Sequence, residues 1–281
     1  MAGEVQSDSR VLVFAFALLF GSGGLEMGAV LQAHLGKALL VGARVGMLMV
    51  FAPFFGSQAI PARIKIGLTV CLTFVLFPVA PANRIQAAGA NWIQALLGEA
   101  AVGLLMGLAV QFVFEGVQFA GQILGFQLGY SLENIIDPQT QVDTPVLAVF
   151  QQTVAILIFL QLGIHRWLLR SLAQSFEYLP PGTIGGIPTA AAGLVQAAGR
   201  MMVIGAQMAA PVLVATMLTD VALGFIGRAA PQLPVMLVGI SIKHLLGVAI
   251  LAIVIVWWPS QLQGQFGRAL QLMDNLLHLA R

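Results

Sequence analysis

Six stretches of this chain are too apolar to be solvated on every side. They cover about residues 38–55, 66–80, 95–114, 146–164, 201–227 and 235–258. The last reads VMLVGISIKHLLGVAILAIVIVWW and ends on a tryptophan pair suited to a membrane–water interface. A helix needs about 17–25 mostly apolar residues to cross a bilayer. The second stretch, IGLTVCLTFVLFPVA, is short by that measure, and the fifth contains Pro211 and Asp220. The rest of the chain offers little to dissolve these runs. Only 9% of residues are charged, against about 25% in soluble domains. Mean hydropathy is +0.93. The predicted fold class is all-α, a polytopic membrane-protein-like set of helical hairpins built from about six hydrophobic segments.

Proline and glycine punctuate the connections. PFFGSQAIPARIK joins the first two stretches, PVAPANR follows the second, and RAAPQLP separates the last two. LPPGTIGGIP, residues 179–188, predicts a turn-rich loop. No fixed-period repeat is present. One helical domain is expected over 36–260, with an N-terminal extension over 1–35 and an amphipathic tail over 261–281. Leu262, Phe266, Leu272, Leu276 and Leu279 mark the tail's apolar side. The first residues have the outline of a signal peptide, but Glu4 and Asp8 oppose a positive n-region and the apolar run is short, so a helical extension is predicted. With six spans, one side collects Arg10, Lys37, Arg84, Arg166, Arg170, Arg200, Arg268 and Arg281, and the other Arg63, Lys65 and Arg228. That places both termini in the cytoplasm.

Several function classes find no support. Thirteen basic residues are scattered without a patch, which argues against nucleic-acid binding. Cys71 is the single cysteine, so no internal disulfide or thiolate metal site forms. His34, His165, His244 and His278 lie far apart, with no HExxH pair. P-loop, nucleophile-elbow and dinucleotide motifs are missing from the sequence. Glu133, Asp137 and Asp143 share a loop, but their spacing is not that of an EF-hand, and a solvated loop is the simpler reading. No catalytic residue, cofactor or metal site is therefore expected, and the chain does not read as an enzyme.

Polar groups inside the apolar segments carry more information. Arg44, Glu99, Asp220, Lys243 and His244 fall within them. Each such charge costs about 2.5–3.5 kcal/mol at a helix centre by insertion scales. They predict either buried pairs that fix helix packing or an ion relay. In LMGLAVQFVFEGVQFAGQILG, residues 105–125, Gln111, Glu115, Gln118 and Gln122 recur at steps of four, three and four and form one polar stripe. Phe112, Phe114 and Phe119 lie off it, and Gly121, Gly125 and Gly129 form a small-residue ladder that permits close helix approach. Such a stripe must meet protein or water. A packed helix and a pore-lining or re-entrant hairpin both satisfy that condition.

Three blocks carry a resemblance: RVGMLMVFAPFFGSQAIPARIKIGL (44–68), DPQTQVDTPVLA (137–148) and ALGFIGRAAPQLPVMLVGISIK (222–243). In this order they are similar to the signature regions of the FliR-type flagellar export-gate family, over about residues 38–260. DPQTQVDTPVLA and APQL look more flagellar than like the homologous injectisome subunit. The first 35 residues stay unassigned. The resemblance implies a non-enzymatic subunit of the type III secretion export gate in the bacterial inner membrane, at the flagellar basal body. Its expected partners are FliP-like and FliQ-like gate subunits, FlhB-like and FlhA-like export components, membrane lipid, and unfolded flagellar proteins as cargo. Proton-motive force and a cytoplasmic ATPase complex would act through other components. In the family the subunits wrap into a closed cone, so the segments are bent hairpins packed on protein, which undercuts an ordinary-span topology. A plug at the pore constriction maps to about Gly107 to Gly125. Phe112 and Phe114 are its expected gate residues, with Gly116, Gly121 and Gly125 letting the segment fold and move. The polar stripe would then contact neighbouring subunits or the wet channel. The alternative from another class is a small-solute or ion transporter using Glu99, Asp220 and Lys243 as a relay.

Overall fold

A computed structural model describes residues 22–53, 55–56, 60–80, 92–130, 146–182, 187–230, 232 and 235–279. Glu133, Asp137 and Asp143, most of the N-terminal extension, Arg84 and Arg281 lie outside the described residues. Within them the chain is all-α. The helices are α1 (Ser22–Phe51), α2 (Ala62–Leu76), α3 (Trp92–Leu128), α4 (Val146–Gln161), α5 (Ile164–Tyr178), α6 (Ile187–Ala229), α7 (Val235–Val254) and α8 (Trp258–Leu279). A 3-10 turn, Ile255–Trp257, joins the last two.

The 37-residue helix α3 is the axis of the structure. At 1.5 Å per residue it is about 55 Å long. A helix that is apolar over most of its surface belongs inside a bundle. Accordingly α6, α1 and α4 make its largest contacts, and α8 and α7 add smaller ones. Small residues let three of these helices come close. A methyl on Gly107 would stand 2.9 Å from Phe51 Cβ of α1. One on Gly116 would stand 2.9 Å from the Met201 carbonyl of α6, and one on Gly121 would stand 2.9 Å from Ala148 Cβ of α4. Gly205 of α6 returns the contact, meeting the Gly116 carbonyl at 2.8 Å on the same measure. Gly129 is not a further rung of the ladder. It ends α3 with φ of 84°. Its N–H donates to Phe126 O, and the Tyr130 N–H donates to Gly125 O, which is a Schellman cap.

The core contains an aromatic cluster. Phe114 of α3, Phe159 of α4 and Phe266 of α8 have ring centroids 5.4 Å apart in each pairing. Aromatic pairs at this separation add about 0.5–1.5 kcal/mol beyond their buried area. The predicted tail is thus a core helix: Trp258, Leu262, Phe266, Leu270 and Met273 are all buried in the main cluster. Their four- and three-residue steps keep them on one face.

Each of the six apolar segments is largely helical, and the third, fifth and fourth differ most informatively from the expected extents. The third continues to Leu128 rather than ending near 114, because its polar stripe is compatible with helix. The fifth begins at Ile187, inside the predicted loop, with Pro188 in the first turn where a missing N–H does no harm. The fourth is followed by α5, which hydropathy alone does not reveal. Gly163, at φ of 67°, turns the chain between α4 and α5, and the two helices meet at 65°. Among the described residues, four helices are long and apolar enough to cross a membrane, or five if the bent pair counts as one. Helix α2 has only 15 residues. The six-span count behind the predicted orientation therefore does not hold.

Candidate functional site

The charges within the apolar segments form two separate pairs. Arg44 of α1 and Glu99 of α3 are 0% and 2% exposed, with Nε donating to Oε2 at 2.7 Å. Burial of this depth is tolerable only when the remaining hydrogen-bonding groups are also satisfied. Here they are engaged. Arg44 Nη1 donates to Ser175 Oγ and Nη2 to the Leu179 carbonyl, both at 3.0 Å. The guanidinium lies 4.4 Å from the Phe176 ring centre. The second carboxylate oxygen of Glu99 accepts from the Gly182 N–H at 3.0 Å. Gly103 permits the crossing, since any side chain there would collide with the Arg44 carbonyl. One ion pair thus ties α1 and α3 to the C-terminal end of α5 and the turn after it.

The other pair is Lys243 of α7 with Asp220 of α6, whose side chains are 21% and 43% exposed. Gln127 of α3 donates to the other Asp220 oxygen at 3.2 Å. His244 places its ring 4.6 Å from that of Tyr130, edge to face. A cavity of about 520 Å³ adjoins the pair, with Gly129, Gly224, Gly227 and Gly239 in its wall. Around it the surface is apolar: Leu218, Val221, Phe225 and Leu245 are exposed. Exposed charge on an apolar face at membrane depth calls for protein or water as its neighbour. Glu99 is not brought to Asp220 and Lys243. Of the supposed relay, Asp220 and Lys243 pair with each other, and Glu99 belongs to the other pair.

The opening polar stripe is helical throughout, with no hairpin between residues 105 and 125. Gln111, Glu115, Gln118 and Gln122 are all half-buried. Gln111 donates to Glu115 at 2.7 Å, while Gln118 and Gln122 find no hydrogen-bond partner among the described residues. The two expected gate phenylalanines occupy different environments. Phe114 is 1% exposed, inside the aromatic cluster. Phe112 is half-buried and borders a small cleft with Ile204 of α6 and Leu272 of α8. Gly116 and Gly121 sit at helix crossings, and Gly125 is buried and accepts the cap bond from Tyr130.

Sequence reasoning did not find Ser175, Phe176, Leu179 or Gly182 as partners of the buried pair. A signal was available: Ile164, Leu168, Leu172 and Phe176 recur every four residues and mark a one-sided helix. Backbone partners such as Leu179 O and Gly182 N–H leave no mark in side-chain chemistry. Among the described residues no group of three or more His, Cys, Asp or Glu is arranged to hold a metal ion.

Residues 35–269 match the family described as bacterial export proteins, family 1. The chain is 32% identical over 212 residues to the flagellar biosynthetic protein FliR of Escherichia coli (strain K12), covering 74% of this chain and 80% of that protein. It is 31% identical over 244 residues to FliR of Bacillus subtilis (strain 168), covering 86% and 94%. It is 26% identical over 250 residues to the surface presentation of antigens protein SpaR of Salmonella typhimurium, covering 88% and 89%.

Proposed function

We propose, from the premise that this chain belongs to family 1 of the bacterial export proteins, that it is a subunit of the flagellar type III protein export gate. The observation that carries the reading is the family match over residues 35–269, which takes in part or all of every described helix. Identity of 32% and 31% to the two FliR proteins named above, against 26% to SpaR, supports the flagellar branch.

The surface supports a role as one subunit among several. Only 17% of the most apolar window of α6, and of that spanning α7 and α8, is buried within the chain. Those faces need lipid or neighbouring subunits, and the half-exposed Lys243–Asp220 pair among them favours protein neighbours. FliP-like and FliQ-like proteins would supply them, with FlhB-like and FlhA-like components adjoining. The assembly would sit in the bacterial inner membrane, at the flagellar basal body, and pass unfolded flagellar proteins through a pore that is closed at rest. Within it, α3 between Gly107 and Gly125 would form part of the closing element. Phe112 is the better-placed apolar contact for a channel or neighbour. Phe114 would act from inside the core, by holding α3 against α4 and α8. The half-buried Gln118 and Gln122 leave hydrogen-bonding capacity for a neighbouring subunit or channel water.

The test is genetic and direct. A strain lacking this chain should release no flagellar proteins to the medium and regain export when the gene is supplied in trans. Normal flagellar export in its absence would reject the proposal.

A further inference from the structure

Helix α5 is unlike its neighbours. It follows the apolar helix α4 after a 65° bend at Gly163. Its inner face, Ile164, Leu168, Leu172 and Phe176, is buried on protein. Its outer face carries Arg166, Trp167 and Arg170 and, near the C-terminal end, Glu177, all exposed, with Trp167 64% exposed. Helix α4 has 16 residues, so at 1.5 Å per residue it is about 24 Å long and would fall short of crossing a hydrocarbon layer of about 30 Å. If α5 completed that crossing, Arg166 and Arg170 would lie in hydrocarbon, which is strongly unfavourable. At headgroup level the same residues are well matched, because tryptophan favours the interface and arginine pairs with phosphate.

A groove of about 550 Å³ runs between α5 and α8. Trp167 stands at its edge, Arg170, Ser171 and Gln174 line one wall, and Gln263 and Gln271 line the other. Asp274 also borders it and is engaged in an interaction of its own. The groove therefore presents one cation, one carboxylate and several uncharged hydrogen-bonding groups beside an indole. A second arginine, Arg166, lies one turn away with its guanidinium folded over Gly163. The Arg44–Glu99 pair fixes the opposite end of the helix through Ser175, Leu179 and Gly182. The platform is thus tied to the core at its C-terminal end.

We infer that α5 is an interfacial platform that binds anionic phospholipid headgroups, with Arg166 and Arg170 pairing with the lipid phosphate and Trp167 seated at the acyl boundary. On this inference α4 and α5 are not the two halves of one broken span. The inference does not depend on the export-gate reading.

The test uses the full chain, purified with the subunits that accompany it and placed in lipid nanodiscs. Tryptophan fluorescence is quenched with phosphatidylglycerol or phosphatidylcholine brominated near the carbonyl end of the acyl chain, and separately with aqueous iodide. The difference between wild type and Trp167→Phe isolates Trp167. Quenching by the brominated lipid, stronger for phosphatidylglycerol, is the expected result. The doubly substituted Arg166→Gln/Arg170→Gln chain should lose that preference by about tenfold in relative lipid occupancy. Its recovery with the same subunits shows that folding is intact. Should Trp167 be quenched by iodide alone, the face is open to water. If neither agent reaches it, another protein covers it. Equal quenching by both lipids means contact without headgroup recognition. Each of these three results overturns the inference.

Discussion

Substitution of the Arg44–Glu99 pair gives the sharpest energetic test of the fold. Glu99→Leu leaves the Arg44 guanidinium buried without its carboxylate. Ser175 Oγ and the Leu179 carbonyl remain as partners, but neither is charged. The Gly182 N–H loses its acceptor as well. Breaking a buried pair from one side costs about 3–5 kcal/mol. Arg44→Met is expected to cost a similar amount, since Glu99 would then keep only the Gly182 N–H. Joining both changes removes both charges. Ser175 Oγ still donates to Leu172 O at 2.7 Å, so the principal remaining losses are the partners of Leu179 O and Gly182 N–H. Leaving each of those two backbone groups without its partner costs about 1–3 kcal/mol. The double variant should therefore lose clearly less than the sum of the two single losses, because no isolated charge stays buried. Thermal unfolding of the detergent-purified assembly, followed by helical circular dichroism, reads the cycle. At about 2–4 °C per kcal/mol, each single substitution lowers Tm by about 6–20 °C and the double by clearly less than the two losses added together. Single variants within about 1 kcal/mol of wild type, or a double variant that loses the sum of both, would refute the reasoning.

Three further outcomes follow from the geometry. Gly121→Asp forces a side chain into the Ala148 backbone of α4, and in the assembled complex it should raise resting ion conductance. Unchanged conductance with intact assembly would remove Gly121 from the closing element. Lys243→Ala leaves Asp220 with only Gln127, so assembly with partner subunits should fall while export per assembled complex stays near wild type. Normal assembly with lost export would instead give Lys243 a direct part in transport. Phe114→Ala should lower stability by about 3–5 kcal/mol as a buried aromatic is lost. Phe112→Ala should cost less than about 1 kcal/mol while changing resting conductance, and equal melting losses for the two would contradict their assigned environments.

How much was legible in the sequence depended on the kind of signal. Each apolar run became a helix, because a run of that length has few other ways to satisfy its backbone in a nonpolar setting. The charges announced themselves by being out of place, yet sequence could not pair them. Arg44 and Glu99 are 55 positions apart, and only the α1–α3 crossing at Gly103 brings them together. Helix α5 escaped notice because its mean polarity resembles that of a loop. Its four-residue apolar step was the readable feature. Gly129 shows the opposite error: its spacing fits a packing ladder, but a positive φ makes it a helix stop. Leu262 and Phe266 identified the apolar side of the tail correctly, whereas the depth of its burial depended on the distant Phe114 and Phe159.

The central claim is that this chain works as a subunit enclosed by other export-gate proteins. Native mass spectrometry after co-expression with the proposed FliP-like and FliQ-like partners tests that claim most directly. The expected result is a single hetero-oligomer containing this chain, dispersed by charge reversal at Asp220 or Lys243. Recovery of the chain only as a monomer that moves a small solute on its own would contradict the claim.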